Sequence, residues 1–239
     1  MGAQAPSQTV RVNDSAKLPE ALRSVGLEEV RPTIVLTGGA DALVARDLDR
    51  LRPLFTQALA PLAESVHAYV LDGGTESGIM RLMGEARAGL NARFPLIGVA
   101  AEGTVDLSRP PSPSPGSVPL EPHHTHFVLV PGDRWGDESP WIARVASVLA
   151  GEASSITVLI DGGEVSWEDV TNSVEAGRRV FVVAGSGRLA DTLNDALLGH
   201  SEDERALEMA RSGLLTTIHP LANPRRTADA LEAFLVGEG

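Results

Sequence analysis

Four glycine-containing turns carry the residue types that most directly suggest chemistry. In chain order they are Thr37-Gly38-Gly39-Ala40, Asp72-Gly73-Gly74-Thr75, Asp161-Gly162-Gly163-Glu164 and Gly185-Ser186-Gly187-Arg188. Glycine lets the backbone approach a ligand closely, and the N–H groups of such a turn, together with the start of the next helix, attract an anion. One turn of this kind could serve chain geometry alone. Four of them favour a phosphate-bearing ligand.

The turns do not follow the two common phosphate-loop patterns. No Gly-Lys-Ser/Thr stands at the Walker A spacing, and Gly185-Ser186-Gly187 lacks the third glycine of the dinucleotide motif. Arg188 follows directly, and a cation at a helix N-terminus is unfavourable by roughly 0.3–1 kcal/mol. That position favours a guanidinium that binds a phosphate through two hydrogen bonds. The alternative is an ion pair with a neighbour such as Asp191.

Metal and hydrolase chemistry have little support. His123, His124 and His126 are close in sequence, but no further ligand stands at a zinc-like spacing, so we expect no metal site. Hydrogen-bonded histidines at the start of a strand are the expected role. The chain has no Cys, and neither Ser166 nor Ser186 lies in a GxSxG elbow.

The elements that must position the turns are short, apolar strands alternating with segments of helical period. The strands are apolar throughout, as burial on both faces of a parallel sheet requires. The alternation predicts one doubly wound α/β domain of three layers, α/β/α, with a mainly parallel sheet. Because ligands bind at the carboxyl ends of such strands, all four turns should share one sheet edge. The predicted strands cover residues 33–37, 66–71, 96–100, 127–130, 156–160, 180–183 and 215–218.

Two segments fall outside this pattern. Residues 1–16 are polar and irregular, which predicts a flexible N-terminal tail before a single domain over 17–239. Residues 108–119 are rich in Pro and Ser and predict a surface loop. Trp135 and Trp141 are placed by the loop after the fourth strand. Packing is their expected role, with stacking of Trp135 on a base as the alternative.

Composition restricts the class of partner. The 239 residues include 20 Lys and Arg against 32 Asp and Glu, a net charge of −12, which disfavours nucleic acid. No apolar run reaches the ~18–20 residues that span a bilayer, and no signal peptide is recognisable. We therefore expect a cytoplasmic protein without direct membrane insertion.

Several segments resemble a known family. Five segments occur in the order seen in the cytosolic N-terminal region of melastatin-type TRP channels. They are ALRSVGLEEVRPTIVLTGGA, DGGTESGIMRLMGEA, PLIGVAAEGTV, HHTHFVLVPGD and RRVFVVAGSGRLAD. That region is the SLOG-type domain, also called LSDAT, and this chain resembles a bacterial stand-alone relative over about residues 18–198. The resemblance implies a Rossmann-like fold and a nucleotide ligand such as ADP-ribose.

The resemblance also implies site residues at the turns. Arg188 matches the arginine of the family's GSGR segment, Thr37 begins its TGGA turn, and Gly78 and Met80 complete its second turn. Looser matches are an aromatic near Trp135 and a basic residue near Arg144. The predicted ligand-binding set is Thr37, Gly38, Gly39, Gly73, Gly74, Thr75, Gly78, Met80, Gly162, Gly163, Gly185, Ser186, Gly187 and Arg188.

A more distant similarity, to LOG phosphoribohydrolases, bears on catalysis. Their PGGxGTxxE signature corresponds here to residues 161–169, with Val165 for the third glycine, Ser166 for the threonine and Asp169 for the catalytic glutamate. Asp169 is one methylene shorter, and a 1 Å misplacement can cost ~100-fold in rate. We therefore predict no catalytic residues and no cofactor.

The leading hypothesis is a non-catalytic sensor that binds a nucleotide, with an NAD-derived ligand such as ADP-ribose expected. It would signal to a partner, either an effector protein or a second copy of the chain. The alternatives are a LOG-like nucleotide N-glycosidic hydrolase and an assembly module whose glycine turns no longer bind anything.

Overall fold

Eight strands that all run parallel form the central sheet of the protein. In the computed structural model, which describes residues 7–40, 45–107, 116–219 and 223–237, the strand order is β1-β7-β4-β3-β2-β8-β9-β10. A separate parallel pair joins β5 to β6. The strands are β1 (Gln8–Arg11), β2 (Thr33–Gly38), β3 (Tyr69–Asp72), β4 (Leu96–Ala101), β5 (Val105–Asp106), β6 (Val118–Pro119), β7 (His126–Val130), β8 (Ser155–Ile160), β9 (Arg179–Val183) and β10 (Leu215–Ile218).

Helices cover both faces of this sheet. They are α1 (Leu18–Ser24), α2 (Ala45–Leu54), α3 (Ala60–Ser65), α4 (Gly78–Gly89), α5 (Ser139–Ala150), α6 (Glu164–Glu175), α7 (Arg188–Leu197), α8 (Glu204–Arg211) and α9 (Pro224–Val236). A π-helical segment, Phe55–Leu59, joins α2 to α3.

Alternation along β2 shows how the two faces are divided. Ile34 and Leu36 pack in one core with α2, α3, α4 and α9, whereas Val35 packs in another with α1 and α5. A third core, which includes Leu159, lies under α6, α7 and α8. Successive side chains of a strand point to opposite faces, so each buried strand contributes to two helical layers. The predicted doubly wound, Rossmann-like α/β domain is confirmed.

The strand order places the switch point at β2. From β2 the chain adds β3, β4 and then β7 on one side, and β8, β9 and β10 on the other. Because all the strands are parallel, the segments containing Gly38, Gly73 and Gly187 lie at the same sheet edge, as predicted. The crevice between the ends of β2 and β8 is where such folds bind ligands.

The N-terminal segment differs from the prediction. Residues 1–6 lie outside the described part, but Gln8–Arg11 pairs with β7 as an edge strand, and Val12 after it is buried. The prediction of an irregular tail is therefore wrong for residues 8–11. The strand has polar, exposed residues because it lies at the sheet edge, so its sequence lacks the apolar pattern of a central strand.

The structure differs from the prediction at the start of β3 and at helix α5. The strand predicted at 66–71 begins only at Tyr69, because α3 runs to Ser65 and His67 has a positive φ of 53°. Helix α5 was not predicted, although Ile142, Val145 and Leu149 on its buried face show helical spacing. Trp141 and Arg144 consequently lie on a helix rather than in a loop.

The Pro- and Ser-rich segment is only partly described. Residues 108–115 lie outside the described ranges, while Val118–Pro119 pairs with Val105–Asp106. In the described parts of the chain, no helix has the length and apolar character needed to cross a membrane.

Candidate functional site

A cavity of about 190 Å³ opens at the carboxyl ends of the central strands, beside the switch point. It is bounded by the ends of β2 and β4, the turns after β3 and β7, and the first turns of α4, α5 and α6. The described lining residues are Leu36, Thr37, Gly38, Ala40, Gly73, Thr75, Ser77, Met80, Ala100, Thr104, Trp135, Glu138, Ile142, Val165, Ser166 and Asp169.

Five of the predicted binding residues lie in this lining. Thr37 and Gly38 end β2, Gly73 and Thr75 follow β3, and Met80 lies in the first turn of α4. The hydroxyl oxygen of Thr75 lies 3.1 Å from that of Ser77, which precedes α4. The cavity thus brings together the first two glycine turns, as their positions after neighbouring strands predict.

The turns after β8 and β9 form a neighbouring cluster outside the described lining. Arg188 Nη2 lies 2.5 Å from Asp161 Oδ2, and its Nε also donates to Asp161. Ser186 Oγ accepts from the N–H of Asp161 at 2.8 Å and donates to the Val183 carbonyl. Gly187 is required here, because a Cβ would lie 2.7 Å from Asp161 Oδ1 and its φ is +122°. The predicted residues of this cluster are Gly162, Gly163, Gly185, Ser186, Gly187 and Arg188.

Asp191 is not the ion-pair partner of Arg188. Its Oδ1 instead accepts a hydrogen bond from the N–H of Gly185 at 2.6 Å. Asp161 and Arg188 both have positive φ, 60° and 32°. Such conformations in non-glycine residues persist only where the surroundings impose them, so the ion pair holds a strained contact between two turns.

Two glycine N–H groups of the first two turns donate within the protein, so these two are not the phosphate donors that the sequence predicts. Gly39 donates to the Ile160 carbonyl at 3.0 Å, and Gly74 to Asp72 Oδ1 at 2.7 Å. Gly78 serves packing, since a Cβ there would lie 2.1 Å from the Gly39 carbonyl oxygen. At these positions the absence of a side chain lets α4 and the strand ends approach each other closely.

Two carboxyl groups line the cavity. Asp169, on α6, accepts a hydrogen bond from Thr37 Oγ1 at 2.5 Å through Oδ2, while its Oδ1 is buried without a hydrogen bond. The hydroxyl of Ser139 on α5 is also buried, close to this carboxyl. Glu138, which occupies the N-cap position of α5, accepts a hydrogen bond from the Gly136 N–H at 3.1 Å and is 7% exposed.

Burial shifts the pKa of both carboxyl groups upward. Desolvation, opposed by backbone N–H groups and reinforced by the charge of Asp169, raises the pKa of Glu138 to about 7. Desolvation likewise raises the pKa of Asp169, against the opposing effect of the Ser139 and Thr37 hydroxyls. Two carboxyls in one desolvated space resist simultaneous ionisation. Around neutral pH this pair therefore holds a proton part of the time.

Behind the second glycine turn lies a fully buried row of ionisable side chains. His124 Nε2 is 2.8 Å from Asp72 Oδ1, and its Nδ1 is 2.7 Å from Glu121 Oε2. Burial lowers the pKa of His124, but the two carboxylates outweigh that effect and raise it to about 9. Glu121 also contacts His123 Nδ1 at 2.6 Å. His124 is therefore protonated at neutral pH and fixes the turn that begins at Asp72.

The three histidines have the hydrogen-bonded roles expected for them. His126 is the first residue of β7, and its Nε2 lies 3.1 Å from the Val25 carbonyl oxygen. Within the described ranges, no three His, Cys, Asp or Glu side chains are grouped so that they could hold a metal ion.

Glu138 is the residue that sequence reasoning missed most consequentially. It lies at the N-terminus of α5, a helix that was not predicted, so nothing placed it at the site. The other additions to the predicted set include Ala100, Thr104 and Ile142. Recognising the helical spacing from Ile142 onward would have located α5 and its first turn.

Comparisons with known proteins agree with this architecture. The family model described as "SLOG in TRPM, prokaryote" (LSDAT_prok) matches residues 31–229. The chain is 27% identical over 212 residues to a transient receptor potential cation channel subfamily M member-like 2 of Nematostella vectensis, covering 73% of this chain and 14% of that protein. It is 25% identical over 203 residues to the subfamily M member 2 channel of Mus musculus, covering 70% and 13%.

The chain thus spans about one seventh of the length of these channel proteins. The family match covers most of the eight-stranded sheet and every segment that borders the cavity. This chain belongs to the prokaryotic SLOG family related to the TRPM channels, LSDAT_prok.

Proposed function

We propose that the protein is a non-catalytic nucleotide sensor of the cytoplasm, with an NAD-derived ligand such as ADP-ribose. One observation carries the proposal. Residues of the first two glycine turns and of α6 line one cavity of about 190 Å³ beside the switch point of a parallel sheet. Its walls combine hydroxyls and carboxyls with apolar contacts from Met80, Ile142 and Val165, a composition typical of small-molecule sites.

The sensor role is supported by the domain's relatives. The relatives are named as cation channels, and the matching segment is about one seventh of each of them. A domain of this kind can pass ligand occupancy to another protein or to a second copy of itself. We propose that this chain does so through surfaces outside the cavity, with an effector or a homodimer partner.

Arg188 and the turns after β8 and β9 complete the proposed site. The guanidinium already pairs with Asp161, yet its side chain is 43% exposed beside the N-terminus of α6. In the proposal, the phosphate end of the ligand is bordered by the residues of these two turns, namely Gly162, Gly163, Gly185, Ser186, Gly187 and Arg188. The first two turns and the start of α4 border the rest of the ligand, through Thr37, Gly38, Gly39, Gly73, Gly74, Thr75, Gly78 and Met80.

Calorimetry and thermal unfolding with ADP-ribose, AMP and NAD test the proposal. A ligand present at about 100 times its Kd stabilises the fold by about 2.7 kcal/mol. Val165→Phe fills the cavity from α6 and should abolish that stabilisation, whereas Val148→Phe, on the exposed face of α5, should leave it intact. No stabilisation by any of these compounds would favour an assembly module instead.

N-glycosidic hydrolysis is the second candidate, and the place of Asp169 favours it. Its carboxyl lies in the cavity beside Glu138, and paired carboxyls with raised pKa values are a common basis for acid–base catalysis. Incubation with AMP or NAD and chromatographic analysis of products separates a sensor from an enzyme. A binding curve without product supports the sensor.

A further inference from the structure

The cavity is acidic as well as apolar. Its described lining contains Glu138 and Asp169 and contains no Lys, Arg or His. The cation predicted to bind phosphate, Arg188, lies in the neighbouring cluster and pairs with Asp161. The N–H groups of Gly39 and Gly74 at the cavity edge already donate to protein acceptors. The described lining therefore provides no side-chain cation for a phosphate.

We propose that Glu138 determines which part of a nucleotide the cavity accepts: the uncharged nucleoside enters and the phosphate is kept out. This inference rests on the proposed function and assigns its ligand orientation. Glu138 is the residue just before α5 and is 7% exposed, and the carboxyl of Asp169 on α6 lies near it. A phosphate placed here would meet carboxyl oxygens in a desolvated space, where like charges repel strongly.

A nucleoside offers what these residues lack. Asp169 is an acceptor in this lining, and among the described residues its Oδ1 has only the buried Ser139 hydroxyl beside it, whereas ribose hydroxyls and base amino groups are hydrogen-bond donors. Carboxylates commonly receive ribose hydroxyls in dinucleotide-binding folds. Trp135, 46% exposed at the cavity, provides an aromatic face for a base.

The protonation state of Glu138 should affect the affinity of the cavity for an uncharged ligand. Among the described residues, the charges that act on Glu138 are Asp169 from α6 and Asp137 in its own loop; Glu168 acts on Asp169, and Arg134 lies 3.6 Å from Asp137. The two carboxyls that act on Glu138 both raise its pKa, and the Gly136 N–H opposes them. A neutral ligand that closes the cavity removes Glu138 further from water and so favours its protonated form. Affinity for such a ligand must then fall as pH rises through about 7.

Adenosine, AMP and inorganic phosphate are the probes, measured by calorimetry on the full chain. Wild type should bind adenosine, and inorganic phosphate should not displace it. Adenosine affinity should fall about tenfold between pH ~6 and pH ~8, because a group with a pKa of about 7 loses its proton over that range. Adenosine itself does not titrate there.

Glu138→Gln imitates the protonated carboxyl and should hold adenosine affinity constant, within a factor of about two, over the same range. Asp169→Asn removes a carboxylate acceptor and should weaken adenosine binding roughly 10- to 150-fold. Glu152→Gln, at an exposed position after α5, is the matched control and should behave as wild type. Thermal unfolding of each variant verifies that it is folded.

Displacement of adenosine by phosphate would overturn the inference, as would a Glu138→Gln protein that keeps the tenfold pH dependence. AMP binding without adenosine binding would overturn it too, while leaving the proposed function intact. A wild-type protein that binds none of adenosine, AMP, ADP-ribose and NAD would instead refute the proposed function itself.

Discussion

Arg188 and Asp161 form a two-point ion pair that ties the turn after β9 to the turn after β8. The Arg188 Nε and Nη2 atoms lie 2.9 and 2.5 Å from Asp161 Oδ1 and Oδ2, and Asp161 is 4% exposed. The residue expected to bind a ligand phosphate therefore also holds the site's framework. A substitution at this position must therefore affect stability, and under the proposed function it must also weaken binding.

Arg188→Ala should lower the free energy of unfolding by about 1–3 kcal/mol, because it leaves a buried carboxylate unpaired. As the proposed phosphate contact, it should also weaken ADP-ribose binding roughly 10- to 150-fold. Urea unfolding and calorimetry measure the two effects. Arg52→Ala breaks an exposed pair with Glu85 and should cost only about 0–1 kcal/mol. Equal ligand affinity of wild type and Arg188→Ala would move the phosphate contact elsewhere.

The buried His124 should make stability fall at alkaline pH. Its pKa is about 9 in the folded protein, against roughly 6.5 when unfolded. Stabilisation by the protonated ring is therefore complete below about pH 6.5 and lost as pH rises through about 9. The loss should be on the order of 3 kcal/mol, at about 1.36 kcal/mol per unit of pKa difference.

Urea unfolding between about pH 6 and pH 10 measures this dependence. His124→Gln should be less stable at neutral pH and should lose less stability across the range. His200→Gln, at an exposed position, should follow wild type. A wild-type protein equally stable at both ends of the range would show that the ring is not charged in the fold.

Two glycines of α4 should respond oppositely to alanine. A Cβ at Gly84 would lie 2.3 Å from the Glu121 carboxyl, which is held by His123 and His124, so Gly84→Ala should destabilise by about 1–3 kcal/mol. A Cβ at Gly89 would meet nothing within 4 Å, so Gly89→Ala should be neutral or stabilise by up to ~1 kcal/mol. Thermal unfolding of the pair tests this. Similar effects of both substitutions would contradict the tight packing of Glu121 on α4.

We expect no appreciable phosphoribohydrolase activity. Asp169 is one methylene shorter than the glutamate of the enzymes it resembles, and Thr37 already holds one of its oxygens at 2.5 Å. Purified protein incubated with AMP should therefore release no ribose 5-phosphate above background. Steady release that disappears in Asp169→Ala would establish the enzyme instead.

The sequence was sufficient to predict the parallel sheet and the common edge of the glycine turns. Apolar runs such as Val158–Ile160 have no polar face, so they must be buried on both sides, and strands that alternate with helices must run parallel. Edge strand β1 and helix α5 were missed, since β1 is polar where it meets solvent and α5 follows an irregular Gly- and Asp-containing loop.

Only the tertiary structure decided which predicted residues share the cavity. Strand order is not encoded in local patterns: the strands that border the cavity are β2 and, on one side of it, β3, β4 and β7, whereas β9 lies beyond β8 on the other side, so the turn at Arg188 falls outside the described lining. The contact of Thr37 with Asp169 joins residues 132 positions apart. The proton affinity of Glu138 likewise depends on burial by segments distant in sequence. The sequence by itself determined the fold class and the sheet edge, because both follow from the local hydrophobic pattern. Long-range packing decided which of the predicted residues share the cavity and which carboxyl groups join them there.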